Sequence, residues 1–491
     1  MACLIAAPSS GSGKTLLTLM LIALARRRGQ SIQPFKVGPD YLDPQLLGRL
    51  AGLPCRNLDT LLCGPAWVQR CFGWHGARAQ LAVVEGVMGL FDGRGPSSDG
   101  SSAEVAALLD LPVVLVVEAS RQAGSLAALV RGFRDHGPPH VRLAGVVLNK
   151  VSSPRHRQLL SEALAAIAVP LLGVLPAEAS LELPSRHLGL LPPAELPDLP
   201  QRAERWAQLA EQHLDHERLW PLLAAPGPCV ATHPIAGLLE GVSSPTAAAG
   251  ESLPVAIASD GAFHFRYPEA SELLRALGAL PLAWSPLADE PLPPGSRAVV
   301  LPGGYPELHA PALADARRAL TSLRQAAQMG VPVLAECGGL LLLGEQLADA
   351  AGHWHPMAGL LPFQAARGAL SLGYRQALCR RDGLLIRAGE RWCGHEFHRW
   401  QLQPSAQASS PGAVVARAGL WQLEGWGSSS REEGWTAPNV HASWLHLHWA
   451  GCPEIPRRLV AAAANAAPLP PAGGFCSPAN PAPPSSVSAG A

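Results

Sequence analysis

Short apolar runs recur along the first half of the chain, and longer stretches with apolar residues at helical spacing separate several of them. Cys3–Ala7, Gln33–Val37, Leu81–Val84, Val113–Val117, Leu143–Leu148 and Leu171–Val174 are mostly apolar and rich in Val and Leu. A strand with one solvated face alternates between apolar and polar positions. A strand covered on both faces reads as a continuous apolar run. The runs therefore predict interior strands of a mostly parallel sheet with helices on both faces, a doubly wound α/β unit. The pattern restarts with strands expected near Val255–Ala258, Ala298–Leu301 and Val331–Leu334. Between the two sets, residues 224–252 are rich in Ala, Pro, Gly and Ser, the composition of a linker. The expected organisation is a first unit over 1–223, a linker over 224–252 and a second α/β unit over 253–453. A Pro/Ala/Ser-rich tail follows over 454–491, expected to be largely disordered from about residue 466.

Composition narrows the possibilities. At 491 residues the chain is long enough for two or more domains with their own cores. Its 38 Lys and Arg balance its 38 Asp and Glu, so no excess of charge favours nucleic acid or an acidic membrane surface. No apolar run is long enough to span a bilayer, and the N-terminal "LLTLMLIALARRRG" lacks the layout of a cleaved signal. The ten Cys include no C-x-x-C pair. That spacing argues against a zinc ribbon or a disulfide framework and for a reducing, cytoplasmic setting.

The first chemical motif is "APSSGSGKT", Ala7–Thr15. It follows a predicted strand and opens a predicted helix, the context of a phosphate-binding loop. Small residues, Gly11 and Gly13 among them, let backbone N–H groups converge on an anion. Lys14 can reach terminal phosphates, and Thr15 offers a hydroxyl to Mg²⁺. Pro8 stands at the first-glycine position of the standard pattern. "FKVGPDYLDP" leaves the second strand with Lys36, Asp40 and Asp43, and "VVEGVMGLFDG" leaves another with Glu85 and Asp92. Ligands of open parallel sheets bind outside the carboxyl ends of the strands, where such carboxylates can hold Mg²⁺ beside a triphosphate.

A second motif is "VPVLAECGGLLLLGE", Val331–Glu345. Cys337 stands at the corner between a predicted strand and a predicted helix. A buried structural thiol and a nucleophile elbow both fit that position.

Together, the phosphate loop, "KVGPDYLDP" and "EGVMGLFDG" resemble the cobyrinate a,c-diamide synthase family, whose N-terminal domain is similar to dethiobiotin synthetase. The resemblance implies ATP as co-substrate, with Lys14 and Thr15 serving phosphate and metal, and Asp40 and Glu85 serving Mg²⁺. It places Tyr41 and Asp92 near the acceptor, and Asn149 where related enzymes often read the adenine. "AECGG" resembles the elbow of a class I glutamine amidotransferase of flavodoxin-like α/β fold, with Cys337 as nucleophile. "VVLPGGYPE" then supplies Gly303 and Gly304, which with Gly338 would donate N–H groups to an oxyanion. "ASWLHLHW" supplies the base: His446 aligns with the usual "YLHG" His, and His448 is the runner-up. Ordinary class I glutaminases carry a Glu two residues after that His. His448 takes that place here, which leaves a Cys–His dyad, typical of the cobyrinate and cobyric acid synthase branch.

The resemblance implies an ATP- and glutamine-dependent amidoligase acting on the a and c carboxylates of cobyrinate in cobalamin biosynthesis. Its partners are then a corrinoid, ATP and L-glutamine, with neither nucleic acid nor membrane, and a homodimer is the expected assembly. The alternatives are a hydrogenobyrinate or nickel-sirohydrochlorin a,c-diamide synthase, a cobyric acid synthase, and a degenerate P-loop scaffold without activity.

Overall fold

The computed structural model describes residues 2–178, 181–182, 185–186, 189–190, 192–227, 230–240, 252–404 and 416–471. Seven strands build the first sheet: β1 (Cys3–Ala6), β2 (Ile32–Val37), β3 (Arg56–Leu58), β4 (Leu81–Glu85), β5 (Pro112–Glu118), β6 (Arg142–Val151) and β7 (Leu171–Pro176). Their order is β3-β2-β4-β1-β5-β6-β7, with every pairing parallel. The strands are buried almost throughout, which is why they read as unbroken apolar runs. Register then sets the chemistry. Lys36 lies opposite Glu85 across β2 and β4, and Glu118 lies opposite Asn149 across β5 and β6.

The helix Lys14–Arg27 is buried from Leu16 to Ala25. It is apolar all round because the sheet covers one side and the helix Leu199–His213, with buried Trp206 and Leu209, covers the other. No helix among the described residues is long and apolar enough to cross a membrane.

Among the described residues the second sheet has eleven strands. Leu253–Ala258, Ala279–Trp284, Ala298–Leu301, Val333–Glu336 and Val440–Ser443 form its parallel part. Glu336 pairs with Ser443, so the segments leaving those two strands, Cys337 onward and Trp444 onward, emerge side by side. The sheet then continues into long antiparallel strands, Phe363–Cys379, Arg391–Pro404, Arg417–Gly425 and Ser428–Ala437. This extension is absent from the sequence reading. Its signal is the two-residue alternation of "RWQLQ", residues 399–403, and the Trp426-Gly427 turn between strands.

One apolar cluster runs from Phe35, Trp67 and Phe72 of the first unit to Val255, Leu447 and Trp449 of the second. A buried ion pair bridges the units as well. Arg56 donates to Glu269 at 3.0 Å and to Glu272 at 2.6 Å.

The stretch from 454, read as the start of the Pro/Ala/Ser-rich tail, begins with the helix Glu454–Asn465, ahead of the part expected to be disordered from about residue 466. Ile455, Leu459, Val460 and Ala463 recur at helical spacing and are buried, so this segment has the apolar face that a tail lacks. Beyond it, Leu469 is buried, and Leu469 N–H donates to Ser296 O at 3.0 Å. Residues 472–491 lie outside the described residues.

Candidate active sites

The phosphate loop turns on two glycines with positive φ, Gly11 at 81° and Gly13 at 111°. A Cβ on Gly13 would stand 2.5 Å from Asn149 Nδ2, so the loop and β6 close on each other only with glycine there. Asn149 also donates to Ser12 O at 3.1 Å. In this structure it braces the loop.

Lys14 folds over the loop and donates to the carbonyls of Met88 and Ser9. Burial pulls it down to about 8, helped by the charge of Lys36 and opposed by Glu85, Asp43 and Asp92. Thr15 Oγ1 donates to Glu85 Oε1 at 2.7 Å, and Lys36 Nζ donates to the same oxygen at 2.6 Å. Lys36 reaches Asp43 Oδ2 at 2.6 Å and lies 3.7 Å from Asp40 Oδ2. Burial favours the neutral form of Lys36, but Asp43, Glu85 and Asp40 outweigh it and hold the lysine charged. Burial pushes Asp40 up to about 7, with Asp43 adding to the rise and Lys36 opposing it. Asp40 Oδ1 accepts the N–H groups of Leu42 and Asp43, which fixes the loop after β2. Asp92 Oδ2 accepts the Gly89 N–H at 2.7 Å, and Asp92 lines a groove beside Pro8, on the phosphate-loop side.

At the second site Cys337 has φ 47° and ψ −107°, a conformation a side chain adopts only when its surroundings impose it. The helix Gly338–Leu343 starts at once. A Cβ on Gly338 would meet Gly304 N at 2.9 Å, and one on Gly339 would meet Leu301 O at 2.0 Å. Glycines follow the thiol because the turn packs directly on the Gly303-Gly304 loop. A Cβ on Gly303 would stand 2.5 Å from His446 Cε1 and 3.4 Å from Cys337 Cβ. One small space thus joins Gly303, His446 and Cys337.

Burial favours the neutral form of both side chains. Burial pushes the Cys337 thiol well above its ordinary range, Glu307 and Glu336 add to the rise, and the Gly338 N–H opposes it. Burial lowers His446 to about 3, with His395 and His398 contributing. His446 exchanges two backbone hydrogen bonds with His395, at 3.0 and 2.9 Å, and its Nδ1 has no hydrogen-bond partner. His448 turns elsewhere. It lies 3.7 Å from Glu269 Oε2 and packs on Tyr267, within the network of Arg56.

Glu336, just before the thiol, is pushed up to about 8 by burial, with the Leu447 N–H opposing. In the unfolded chain it titrates near 4.5. The fold therefore holds this proton more tightly. The resulting stability is complete below pH 4.5 and is lost as pH rises through about 8. Glu336→Gln should thus gain melting temperature relative to the unsubstituted protein between pH 6 and pH 9. Thermal unfolding at the two pH values checks this, and a constant difference refutes it.

Between the sites lies a cavity of about 450 Å³. Asp40, Tyr41 and Asp43 line it from the first unit, and Leu372, Tyr374 and Trp426 are among its residues from the second. Three of its lining residues are large apolar side chains left exposed: Met88 at 40%, Leu372 at 53% and Trp426 at 68%. Such exposure around a cavity marks a ligand surface rather than a core. The sequence reading missed the contributions of the second unit, which come from the antiparallel strands (Leu372, Tyr374, His395, Phe397), from the turn at Trp426 and from the loops carrying Phe265 and Tyr305.

Residues 3–191 match the family model described as the CobQ/CobB/MinD/ParA nucleotide binding domain, and residues 254–453 match that of the CobB/CobQ-like glutamine amidotransferase domain. The chain is 40% identical over 473 residues to a cobyrinate a,c-diamide synthase of Synechococcus sp., covering 96% of this chain and 100% of the relative. It is 43% identical over 465 residues to a cobyrinate a,c-diamide synthase of Gloeobacter violaceus, covering 94% and 96%. A hydrogenobyrinate a,c-diamide synthase of Streptomyces coelicolor is 42% identical over 485 residues, covering 93% and 96%.

Proposed function

The chain belongs to the cobyrinate a,c-diamide synthase family, and from that premise we propose that it amidates the a and c side-chain carboxylates of cobyrinate, using ATP and L-glutamine, in cobalamin biosynthesis. The observation that carries this reading is the 450 Å³ cavity. At one end it meets the carboxylates around Lys36. At the other it meets Phe265, whose N–H donates to Gly303 O at 3.0 Å, and Phe397, whose carbonyl lies 4.0 Å from Cys337 Sγ. An acceptor seated there faces the phosphate chemistry and the ammonia source at once. In this proposal residues before 224 form the ATP unit, and those after 252 form the glutaminase unit.

The chemistry follows from the two groups of residues. His446 takes the thiol proton of Cys337, and the sulphur attacks the side-chain amide carbon of glutamine. Backbone N–H groups of Gly304 and Gly338 receive the oxyanion. His446 returns the proton to the nitrogen, the C–N bond breaks, and ammonia leaves a glutamyl thioester. Water, deprotonated by His446, hydrolyses the thioester to glutamate and restores the thiol. A depressed imidazole pKa suits the step in which the proton must be given up.

At the other site an acceptor carboxylate oxygen attacks the γ-phosphorus of ATP, and the bond to the ADP oxygen breaks. The acyl phosphate has a good leaving group, which a carboxylate lacks. Ammonia adds to its carbon, phosphate departs, and the nitrogen releases a proton to give the amide. Lys14 sits where charge accumulates on the phosphoryl oxygens. Thr15, Asp40 and Glu85 would hold Mg²⁺. Glu85 Oε2 is a buried oxygen without a hydrogen-bond partner, and the donors are all oxygen, which suits this hard cation. When bound, Mg²⁺ offsets the charge of the phosphate oxygens. Among the described residues no set of three or more His, Cys, Asp and Glu forms a metal cage, in keeping with an ion held largely by its nucleotide. The eight described cysteines are unpaired, which supports a cytoplasmic setting.

The test is a product analysis. The protein is incubated with ATP, Mg²⁺, glutamine and a mixture of cobyrinate, hydrogenobyrinate and nickel-sirohydrochlorin, and products are read by mass spectrometry. The expected product is a corrinoid with two new amides, preceded by a monoamide. Four new amides would point instead to a cobyric acid synthase. ATP and glutamine left unconsumed with every acceptor would leave only the scaffold reading.

A further inference from the structure

Tyr41 belongs to the loop after β2, directly beside Asp40, yet its ring rests on the second unit. It stacks on Phe265 with centroids 5.1 Å apart and planes 5° from parallel. It lies 4.7 Å from the Tyr267 ring and 5.2 Å from the imidazole of His446. The opposite side of the loop faces the acceptor cavity, which Tyr41 lines together with Asp40 and Asp43. A void of about 20 Å³ lies against the ring, lined by Phe265, Pro302, Glu336 and Leu447 among others. It has room for one molecule the size of water or ammonia and nothing larger. Tyr41 itself thus stands between the His446 ring and the acceptor cavity.

Resting on the functional reading above, we propose that Tyr41 is a shutter that passes ammonia from the glutaminase space directly into the acceptor cavity. The need for a closed passage comes from acid–base chemistry. Ammonia released into water near neutral pH becomes ammonium, which has no lone pair to attack an acyl phosphate. A ring that seals the glutaminase space, and moves only while the acceptor cavity is filled, keeps each ammonia on the productive path. Tyr41 suits this task because one rigid ring contacts His446 on one side and lines the acceptor cavity on the other. A rotation about two side-chain bonds is enough to open it. Tyr41 acts here as a positioning residue, through the ammonia it retains.

The experiment compares the full-length protein with its Tyr41→Ala, Tyr41→Phe and Tyr41→Leu variants. Two quantities are read with cobyrinate, ATP and Mg²⁺ present: glutamate formed per amide formed from glutamine, and ¹⁵N in the amide when ¹⁵N-ammonium is added beside unlabelled glutamine. The unsubstituted protein should give about one glutamate per amide and little ¹⁵N. Tyr41→Ala should raise the glutamate ratio about fivefold and raise ¹⁵N incorporation in step, because the passage then leaks both ways. Its glutamine-driven amidation should fall further than its ammonium-driven amidation. Tyr41→Phe keeps the ring and should restore the ratio. If Tyr41→Ala does not fold, Tyr41→Leu decides by the same two readouts, with an intermediate leak expected. A ratio that stays at one in the smallest folded variant overturns the inference. So does an equal fall with both nitrogen sources, which would assign Tyr41 to the acceptor alone. If the unsubstituted protein makes no amide, the functional reading itself fails, and that outcome is distinct.

Discussion

Cys337→Ser should abolish amidation driven by glutamine while leaving amidation driven by added ammonium salt. The fall in the first rate should be at least about 10³-fold, the scale seen when a nucleophile is removed from a concerted site. The geometry explains the selectivity. Cys337 faces Gly303 and His446, whereas the carboxylates proposed to serve ATP lie around Lys36. Serine keeps the volume of the elbow, so the turn at φ 47° and the packing of Gly338 on Gly304 are retained. What changes is nucleophilicity, since a hydroxyl is far less acidic than a thiol and a weaker nucleophile near neutral pH. Rates with glutamine and with ammonium chloride, measured side by side, decide the matter. Equal losses with both nitrogen sources would refute the two-site arrangement.

Lys14→Ala should give the reverse pattern. Amidation should fall with either nitrogen source, by about 10²–10³-fold, the usual effect of removing one donor aimed at developing charge. Basal glutamine hydrolysis should survive, because the hydrogen bonds of Lys14 Nζ go to its own loop and the Met88 segment, away from Cys337 and His446. The lysine is already desolvated and pulled down to about 8, and phosphate oxygens would restore its charge fully. Ammonium-driven amidation that persists undiminished would show that Lys14 does not serve the phosphates. The pair of substitutions therefore separates the two chemistries by nitrogen source.

Local sequence was enough to mark several features. Val- and Leu-rich runs mark strands buried on both faces, because a covered strand has no solvent side to keep polar. The phosphate loop is legible because a strand, small residues, Lys14 and a helix must occur together for N–H groups to converge on phosphate. The Cys337 corner is legible because the close approach of Leu301 O to Gly339 admits no side chain.

Tertiary structure alone decided which partners meet. His446 and His448 share one apolar segment. Only the pairing of Glu336 with Ser443 sends His446 to Gly303 and Cys337, leaving His448 to Glu269. Tyr41 is adjacent to Asp40 in the chain, but docking of the two units carries its ring onto Phe265 and His446. The exposed Leu372 and Trp426 become cavity walls only because long antiparallel strands fold back over the first unit. The helix Glu454–Asn465 looked like a tail until the second unit offered its apolar face a place to bury. The division has one physical cause. Backbone conformation answers to near neighbours in the chain, whereas a side chain's partner depends on contacts that distant strands create when they pair.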